Sequence, residues 1–176
     1  MSNSELSVAT VGARAVVVFG VSGSGKSTVA AALAERCAFD YCDADDLHPA
    51  DNISKMCAGH PLNDEDRWPW LETVGRRLSD TLNDGRGIVV ACSALKRSYR
   101  DLLRTREPTT FFVFLDGTED LIMLRVLARH HGFMPPSLLA SQFDVLDPLQ
   151  GDETGVRVDV SRGLVDIVDE TMAALR

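Results

Sequence analysis

The sequence has few lysines and no surplus of positive charge. Of the 18 basic residues in this 176-residue chain, three are lysines and the rest are arginines. Asp and Glu number 26, so the formal net charge is −8. This argues against broad nucleic-acid binding, which needs a basic surface, and against docking on an anionic membrane. The shortage of lysine fits either an arginine-rich composition or lysines kept only where a compact cation is needed.

The sequence also lacks a long hydrophobic run and a paired set of cysteines. No stretch reaches about 18–20 consecutive apolar residues, so no membrane span is predicted. The N-terminal residues do not have the charged and apolar regions of a secretory signal. The cysteines Cys37, Cys42, Cys57 and Cys92 form no CxxC pair and no zinc spacing with His. Scattered cysteines are typical of reduced thiols, and a cytoplasmic location is our expectation.

Short β-branched segments alternate with helical patterns along the chain. Predicted strands cover residues 15–19, 39–42, 87–92, 110–115 and 156–160. Predicted helices cover residues 27–37, 51–58, 64–82, 95–104, 119–129, 136–146 and 164–175. This alternation favours a three-layer α/β fold, with a five-stranded parallel sheet flanked by helices. We expect residues 1–13 to be a flexible leader and residues 14–176 to form a single domain.

Residues 20–27 match the phosphate-binding pattern GxxxxGK[ST]. They follow a predicted buried strand and open a predicted helix, whose N-terminus adds partial positive charge. The glycines let several backbone N–H groups point at one anion. Lys26 is predicted to reach the β- and γ-phosphates of ATP, and the Ser27 hydroxyl to bind Mg²⁺. The predicted nucleotide-binding residues of this loop are Gly20, Ser22, Gly23, Ser24, Gly25, Lys26, Ser27 and Thr28.

Carboxylates follow the second predicted strand, at Asp43, Asp45 and Asp46. In a parallel sheet this position lies beside the phosphate loop, at the carboxyl edge. One carboxylate there can support Mg²⁺ through water, and another can accept a proton from a hydroxyl. An acidic helix N-terminus would explain the same residues. No NKxD-like element follows a later strand, which disfavours a guanine-nucleotide switch.

Three further segments resemble the gluconokinase family, small P-loop kinases related in fold to shikimate kinase and adenylate kinase. The first, residues 43–71, reads DADDLHPADNISKMCAGHPLNDEDRWPWL, and the second, residues 92–104, begins CSALK. The third contains Gln142-Phe143, with Leu146 and Pro148 after it. With the phosphate loop, the resemblance covers about residues 15–170.

The resemblance implies transfer of the ATP γ-phosphate to the 6-hydroxyl of D-gluconate, with ATP and Mg²⁺ as cofactors. The product would feed the pentose phosphate or Entner–Doudoroff routes, and a homodimer is implied by the resemblance alone. A kinase for another small hydroxy acid, such as shikimate, and a non-catalytic ATP-binding regulator are the alternatives.

The same resemblance implies roles for individual residues. Asp45 would accept or orient the hydroxyl proton, and Asp43 would support Mg²⁺ with Ser27. Arg67 and Arg100 are each suited to clamp the gluconate carboxylate with two parallel hydrogen bonds. Singly, each cation would also fit a solvated surface charge, and Trp68 and Trp70 are interpreted as packing residues. The predicted substrate-binding residues are Asp45, His48, Lys55, Arg67, Ser93, Lys96 and Arg100.

Arg125 and Arg129 lie four residues apart and therefore share one helical face. The segment after them is similar to the family's short lid, predicted over about residues 129–136, whose arginines close over ATP. There they would stabilise charge on the transferred phosphoryl group, together with Lys26. A cationic helix C-terminus would also explain both arginines. The order His131-Gly132 departs from the family's Gly-His, and no third ligand with suitable spacing makes the neighbouring histidines a metal site.

Overall fold

The structure, a computed structural model, describes residues 12–128 and 136–176. Its strands are β1 (Ala15–Phe19), β2 (Asp40–Asp43), β3 (Ile88–Ala91), β4 (Phe111–Asp116) and β5 (Gly155–Asp159). Its helices are α1 (Lys26–Cys37), α2 (Ala50–Cys57), α3 (Asp64–Asn83), α4 (Arg97–Arg106), α5 (Glu119–Leu127), α6 (Pro136–Val145) and α7 (Leu164–Ala174). A 3₁₀ helix covers Ala44–Leu47.

Parts of two predicted segments lie outside the described residues. These are residues 1–11 of the predicted leader and residues 129–135 of the predicted lid. Among the described helices, none has the length and apolar character needed to cross a membrane.

The strands form one sheet in the order β2-β3-β1-β4-β5, and every neighbouring pair is parallel. This confirms the predicted five-stranded parallel sheet. Ala91 of β3 pairs with both Val18 of β1 and Asp43 of β2. The carboxyl ends of these three strands therefore lie side by side, and the segments that follow them meet at one edge of the sheet.

The sheet separates two apolar clusters, as expected for strands buried on both faces. Val16 and Val18 of β1 pack into one cluster with residues of α1 and α7. Val17 and Phe19, which alternate with them, pack into the other with residues of α3 and α4. Because β1 is packed on both faces, it fixes the position of the loop that follows its carboxyl end.

The start of α3 is set by a reciprocal cap. The Asn63 side chain accepts from the Asp66 N–H at 2.9 Å, and the Asp66 carboxylate accepts from the Asn63 N–H at 2.8 Å. Such a capping box satisfies two N–H groups that a helix N-terminus leaves open. It also holds the acidic first turn of α3 at the site edge.

Candidate active site

The loop between β1 and α1 curls around its own backbone. Gly23 and Gly25 have φ of 81° and 97°, in the left-handed region that favours glycine. The Ser24 N–H and the Lys26 ammonium both donate to the Val21 carbonyl, at 3.2 and 3.0 Å. The Ser24 hydroxyl is buried and has no hydrogen-bond partner among the described residues. This curl in front of a helix N-terminus is the arrangement that binds phosphate.

We expect Gly23→Ala to weaken ATP binding at least tenfold. A Cβ at Gly23 would lie 2.6 Å from Cγ2 of Val126 in α5, and its φ already disfavours any other residue. The substitution therefore shifts either the loop or α5. Calorimetric titration with ATP measures the dissociation constant.

The matched control for that substitution is Gly85→Ala. Gly85 has a similar φ of 77°, but a Cβ there meets no atom within 4 Å. We expect this variant to lose stability and to keep the wild-type affinity for ATP. Wild-type affinity in Gly23→Ala would contradict the account of the loop.

Two carboxylates face the phosphate loop, Asp43 at the end of β2 and Asp45 just after it. Asp43 Oδ2 accepts from the Ser27 hydroxyl at 3.1 Å, and Asp43 Oδ1 accepts from the Asp45 N–H at 3.1 Å. Asp43 is thus the N-cap of the 3₁₀ helix. It caps this helix and lies in the site at the same time. The oxygens of Ser27 and Asp43 fit Mg²⁺, which usually takes few protein ligands beside phosphate and water. Within the described residues, no cluster of three or more His, Cys, Asp or Glu forms a metal cage.

A cavity of about 420 Å³ joins the phosphate loop to these carboxylates. It brings together three predicted site residues from three strand ends: Lys26 after β1, Asp45 after β2 and Ser93 after β3. The residues that line it are Ser22, Gly23, Gly25, Lys26, Ser27, Thr28, Asp43, Asp45, Ala91, Ser93 and Gln142. Phosphate-binding and proton-accepting groups therefore share one space.

His48 lies beneath Asp45 rather than in the open cavity. Its side chain is only 6% exposed, and its ring stacks on Trp70 with the ring centroids 4.2 Å apart. The Asn52 amide nitrogen donates to the Asp66 carbonyl at 2.9 Å and lies 3.3 Å from His48 Nδ1. Since that nitrogen can only donate, Nδ1 accepts and Nε2 carries the proton. Nε2 lies 3.9 Å from Asp45 Oδ1, so the imidazole N–H faces the carboxylate.

Trp70 is a packing residue, as predicted. It is buried, and its indole N–H donates to the Ala44 carbonyl at 2.7 Å. Trp68 packs edge-on against Tyr99, with the ring centroids 5.4 Å apart. Trp70 therefore ties α3 to the 3₁₀ helix that carries Asp45.

The pKa values of Asp45 and His48 shift in opposite directions. The Asp45 side chain is 82% exposed, yet desolvation at the rim of the cavity, and then the Asp43 carboxylate, raise its pKa, although His48 and Lys26 oppose this. Burial lowers the pKa of His48, so the imidazole is neutral near pH 7. A carboxylate with a raised pKa beside a neutral imidazole suits a group that accepts a proton from an alcohol.

This arrangement predicts a specific pH dependence. If Asp45 must be ionised, kcat/KM falls as the pH drops through the pKa of Asp45. Because that pKa is raised, the acidic limb should lie above the ordinary Asp value of about 4. A profile of kcat/KM from about pH 4 to 8 measures it, and a limb at or below pH ~4 would contradict the assignment.

Two of the predicted substrate cations are paired at the first turn of α3. Lys55 donates to Asp66 at 2.5 Å, and Lys96 donates to both oxygens of Asp64 at 2.9 and 2.8 Å. The hydrogen bond from Lys96, and then the one from Tyr99, lower the pKa of Asp64, so it stays ionised. The capped first turn of α3 therefore carries a wall of alternating charge beside the cavity. This wall consists of Lys55, Asp64, Asp66, Arg67 and Lys96.

Arg67 makes longer polar contacts than the other two cations of this wall. Its Nη1 lies 3.4 Å from the Tyr99 hydroxyl and 3.8 Å from Asp64. Its side chain is 33% exposed. With Lys55 and Lys96 it gives three cations against the two carboxylates of Asp64 and Asp66. Glu65 lies in the same first turn, so cations and carboxylates balance there, and the Arg67 guanidinium is held only by long contacts.

Arg100 does not take the predicted place in a substrate clamp. It is fully buried, and its Nε and Nη2 donate to Glu153 at 2.7 and 2.9 Å. Its other donors reach the carbonyls of Ala94, Leu95 and Pro148, and its guanidinium lies over the Phe19 ring. All of its nitrogen atoms are engaged inside the protein. Arg100 ties α4 to the loop before β5, and nothing in its own sequence segment indicated Glu153 as the partner.

A second cavity, of about 370 Å³, lies on the other side of the phosphate loop. Arg125 lines it and donates to the Val160 carbonyl after β5. Both cavities share Gly23, Gly25 and Thr28 of the phosphate loop. Arg129, the other predicted lid arginine, lies outside the described residues.

The fold and this site define a class of protein. A parallel sheet in this order, a phosphate loop after its central strand β1 and carboxylates at the carboxyl end of β2 are features of a P-loop kinase that phosphorylates a small molecule. The two cavities that meet at the loop provide room for a nucleotide on one side and an acceptor on the other.

Comparison with known proteins identifies the family. A family model described as an AAA domain matches residues 16–134. The chain is 42% identical to the probable gluconokinase of Mus musculus, over 92% of this chain and 97% of that protein. It is 39% identical to the thermosensitive gluconokinase of Escherichia coli K12, over 90% and 86% of the two chains. The crystal structure of a gluconokinase from Sinorhizobium meliloti 1021 is 48% identical and has a TM-score of 0.84, covering 92% of this chain and 91% of that one. The chain belongs to the gluconokinase family.

Proposed function

We propose that this protein transfers the γ-phosphoryl group of ATP to the 6-hydroxyl of D-gluconate, giving 6-phosphogluconate and ADP. The observation that carries the proposal is the 420 Å³ cavity. It joins the phosphate loop to Asp45, and it lies beside the cations Lys55, Lys96 and Arg67 at the first turn of α3. The names of the relatives support gluconate as the acceptor.

Each end of gluconate has matching chemistry in the site. Asp45 accepts or orients the proton of the reacting hydroxyl, with the neutral His48 imidazole 3.9 Å from its carboxylate. Arg67, assisted by Lys55 and Lys96, binds the carboxylate at the other end of the acceptor. Ser93 lines the acceptor side of the same cavity.

The phosphate loop and its neighbours supply the nucleotide chemistry. Lys26 and the loop N–H groups bind the phosphates, and Ser27 with Asp43 holds Mg²⁺. When bound, Mg²⁺ neutralises charge on the β- and γ-phosphates. Arg125 lies on the nucleotide side and, with Arg129, adds positive charge around the transferred group. Water exclusion by residues 129–136 remains a prediction.

Substitution of Arg67 tests the carboxylate subsite. We expect Arg67→Lys to raise KM for gluconate about tenfold, with a smaller change in kcat, because lysine lacks the two parallel N–H groups. Arg76→Lys, on the exposed side of the same helix, is the control and should leave both constants unchanged. Steady-state kinetics with varied gluconate measure the split. An unchanged KM in Arg67→Lys would contradict this role.

A panel of acceptors tests the proposed function. ADP release is measured with D-gluconate, other hexonates, shikimate and no acceptor. The proposal predicts rapid release with gluconate and slow release without it. Turnover of shikimate without gluconate would favour the rival kinase, and ATP binding without any acceptor-dependent release would favour a regulator.

The other expectations from the resemblance stay predictions. They are a homodimer, a cytoplasmic location and a product that enters the pentose phosphate or Entner–Doudoroff routes. Each needs its own measurement, such as sedimentation for the oligomeric state.

A further inference from the structure

Gln142 of α6 reaches the phosphate loop from a distant part of the chain. Its Oε1 accepts from the Ser22 N–H at 2.7 Å, across 120 residues. Leu139, fully buried on the same helix, anchors α6 in the core. Just after α6, the Asp147 N–H donates to the Leu95 carbonyl at 2.8 Å. Gln142 is therefore carried by a helix fixed from both the core and the acceptor side.

The bond to Ser22 determines which way the Gln142 amide points. A backbone N–H can only donate, so the atom facing it is the carboxamide oxygen. The amide nitrogen must then point away from the Ser22 N–H. Among the described residues, the amide nitrogen of Gln142 has no hydrogen-bond partner, since the bond to Ser22 is made by the oxygen. The residue lines the cavity that also contains Lys26, Asp43 and Asp45.

A neutral donor at this place has an electrostatic advantage. Lys26 already supplies a cation to this cavity, and a second cation at the place of Gln142 would pair with the carboxylates of Asp43 and Asp45 and compete with the reacting hydroxyl. A carboxamide presents N–H groups without such pairing, and donors of fixed orientation stabilise charge that develops during a reaction. Because Ser22 already holds its oxygen, the Gln142 amide needs no reorientation.

We propose that Gln142 is a further catalytic residue, whose amide N–H groups donate to an oxygen of the transferring phosphoryl group while the Ser22 N–H holds its carboxamide in orientation. This inference rests on the proposed function, in that it requires a phosphoryl group to pass through this cavity. Gln142 is not part of the phosphate loop; it belongs to the Gln142-Phe143 segment of α6.

Two variants separate the donor role from simple support of the loop. Gln142→Leu removes the donor, and we expect kcat to fall about 10²-fold. Gln142→Glu keeps an oxygen toward Ser22 but places a negative charge toward the phosphoryl group, and its kcat should fall further. In both variants the dissociation constant of ADP, measured by calorimetry, should stay within threefold of the wild type. Ser141→Ala, an exposed neighbour on α6, is the control and should keep wild-type kinetics.

Two results would overturn the proposal. One is a kcat within twofold of the wild type in both Gln142 variants. The other is ADP binding that weakens as much as kcat falls, because Gln142 would then only brace the loop.

Failure of the proposed function gives a different result. If the wild-type chain phosphorylates another acid in place of gluconate, the same variants are tested with that acid. If it phosphorylates no acid, the slow release of ADP without acceptor is compared between the wild type and Gln142→Leu. Slower release in Gln142→Leu then supports the donor role, and an equal rate overturns it.

Discussion

Asp45→Asn should bind ATP like the wild-type protein and lose about 10²- to 10⁴-fold of its turnover number with gluconate. The amide keeps the shape of the carboxylate but does not accept the hydroxyl proton. The Asp43–Ser27 contact, which lies on the nucleotide side, does not depend on the Asp45 side chain. Steady-state turnover, with calorimetric titration of ATP, measures both properties.

The control for this substitution is Asp46→Asn. Asp46 is an exposed neighbour in the same 3₁₀ helix, and it does not line the cavity. Its variant should keep the turnover number of the wild type. A turnover number for Asp45→Asn within tenfold of the wild type would reject Asp45 as the proton acceptor.

Arg100→Met should destabilise the protein by about 3–5 kcal/mol, because it leaves the buried Glu153 without its partner. Both side chains are 0% exposed and joined by two hydrogen bonds. Burial alone would raise the pKa of Glu153, but the hydrogen bonds from Arg100 and from the Gln150 N–H outweigh it and lower that pKa. Glu153 is therefore ionised in the wild-type protein, and removing Arg100 leaves either an unpaired buried charge or a carboxyl that must take up a proton, both of which cost stability. Urea unfolding measures the free-energy change.

A matched pair of variants identifies the cause of this loss. Replacing both partners, as Arg100→Met with Glu153→Met, removes the unpaired charge and should recover part of the stability. Arg36→Met breaks an ion pair with Asp169 whose two side chains are more than half exposed, and it should lose at most about 1 kcal/mol. A loss in Arg100→Met no larger than that in Arg36→Met would contradict the account of the buried pair.

The parts of the site that depend on local chemistry were predictable from the sequence. The phosphate loop needs glycines, a lysine and a serine in fixed order, so its position follows from a short segment. The sheet order then places the carboxylates at the carboxyl end of β2 beside it. The predicted end of β2 at Cys42 was one residue short, because apolar character stops there while pairing with Ala91 extends the strand to Asp43.

The parts that depend on distant partners were not predictable in this way. The charge of Arg100 suggested a substrate ligand, but its role is set by Glu153, which lies 53 residues further along the chain. His48 is a second example, since its stacking on Trp70 and its contact with Asn52 leave its side chain only 6% exposed. Burial and pairing are properties of the fold, and residue type alone does not reveal them.

The shortage of lysine now has a structural context. Lys26 lies in the phosphate loop, and Lys55 and Lys96 bind the carboxylates of Asp66 and Asp64 beside the acceptor cavity. All of the lysines of the chain are therefore close to the site. This favours the interpretation that lysine is kept where a compact cation is needed, within a composition that is otherwise rich in arginine.

The most direct test of the central claim is the identity of the phosphorylated product. Wild-type protein is incubated with ATP, Mg²⁺ and ¹³C-labelled D-gluconate, and the product is followed by ³¹P and ¹³C nuclear magnetic resonance. We expect one phosphate ester, on the oxygen of carbon 6, formed in step with ADP. A phosphate on another carbon, or ADP formed with free inorganic phosphate and unchanged gluconate, would contradict it.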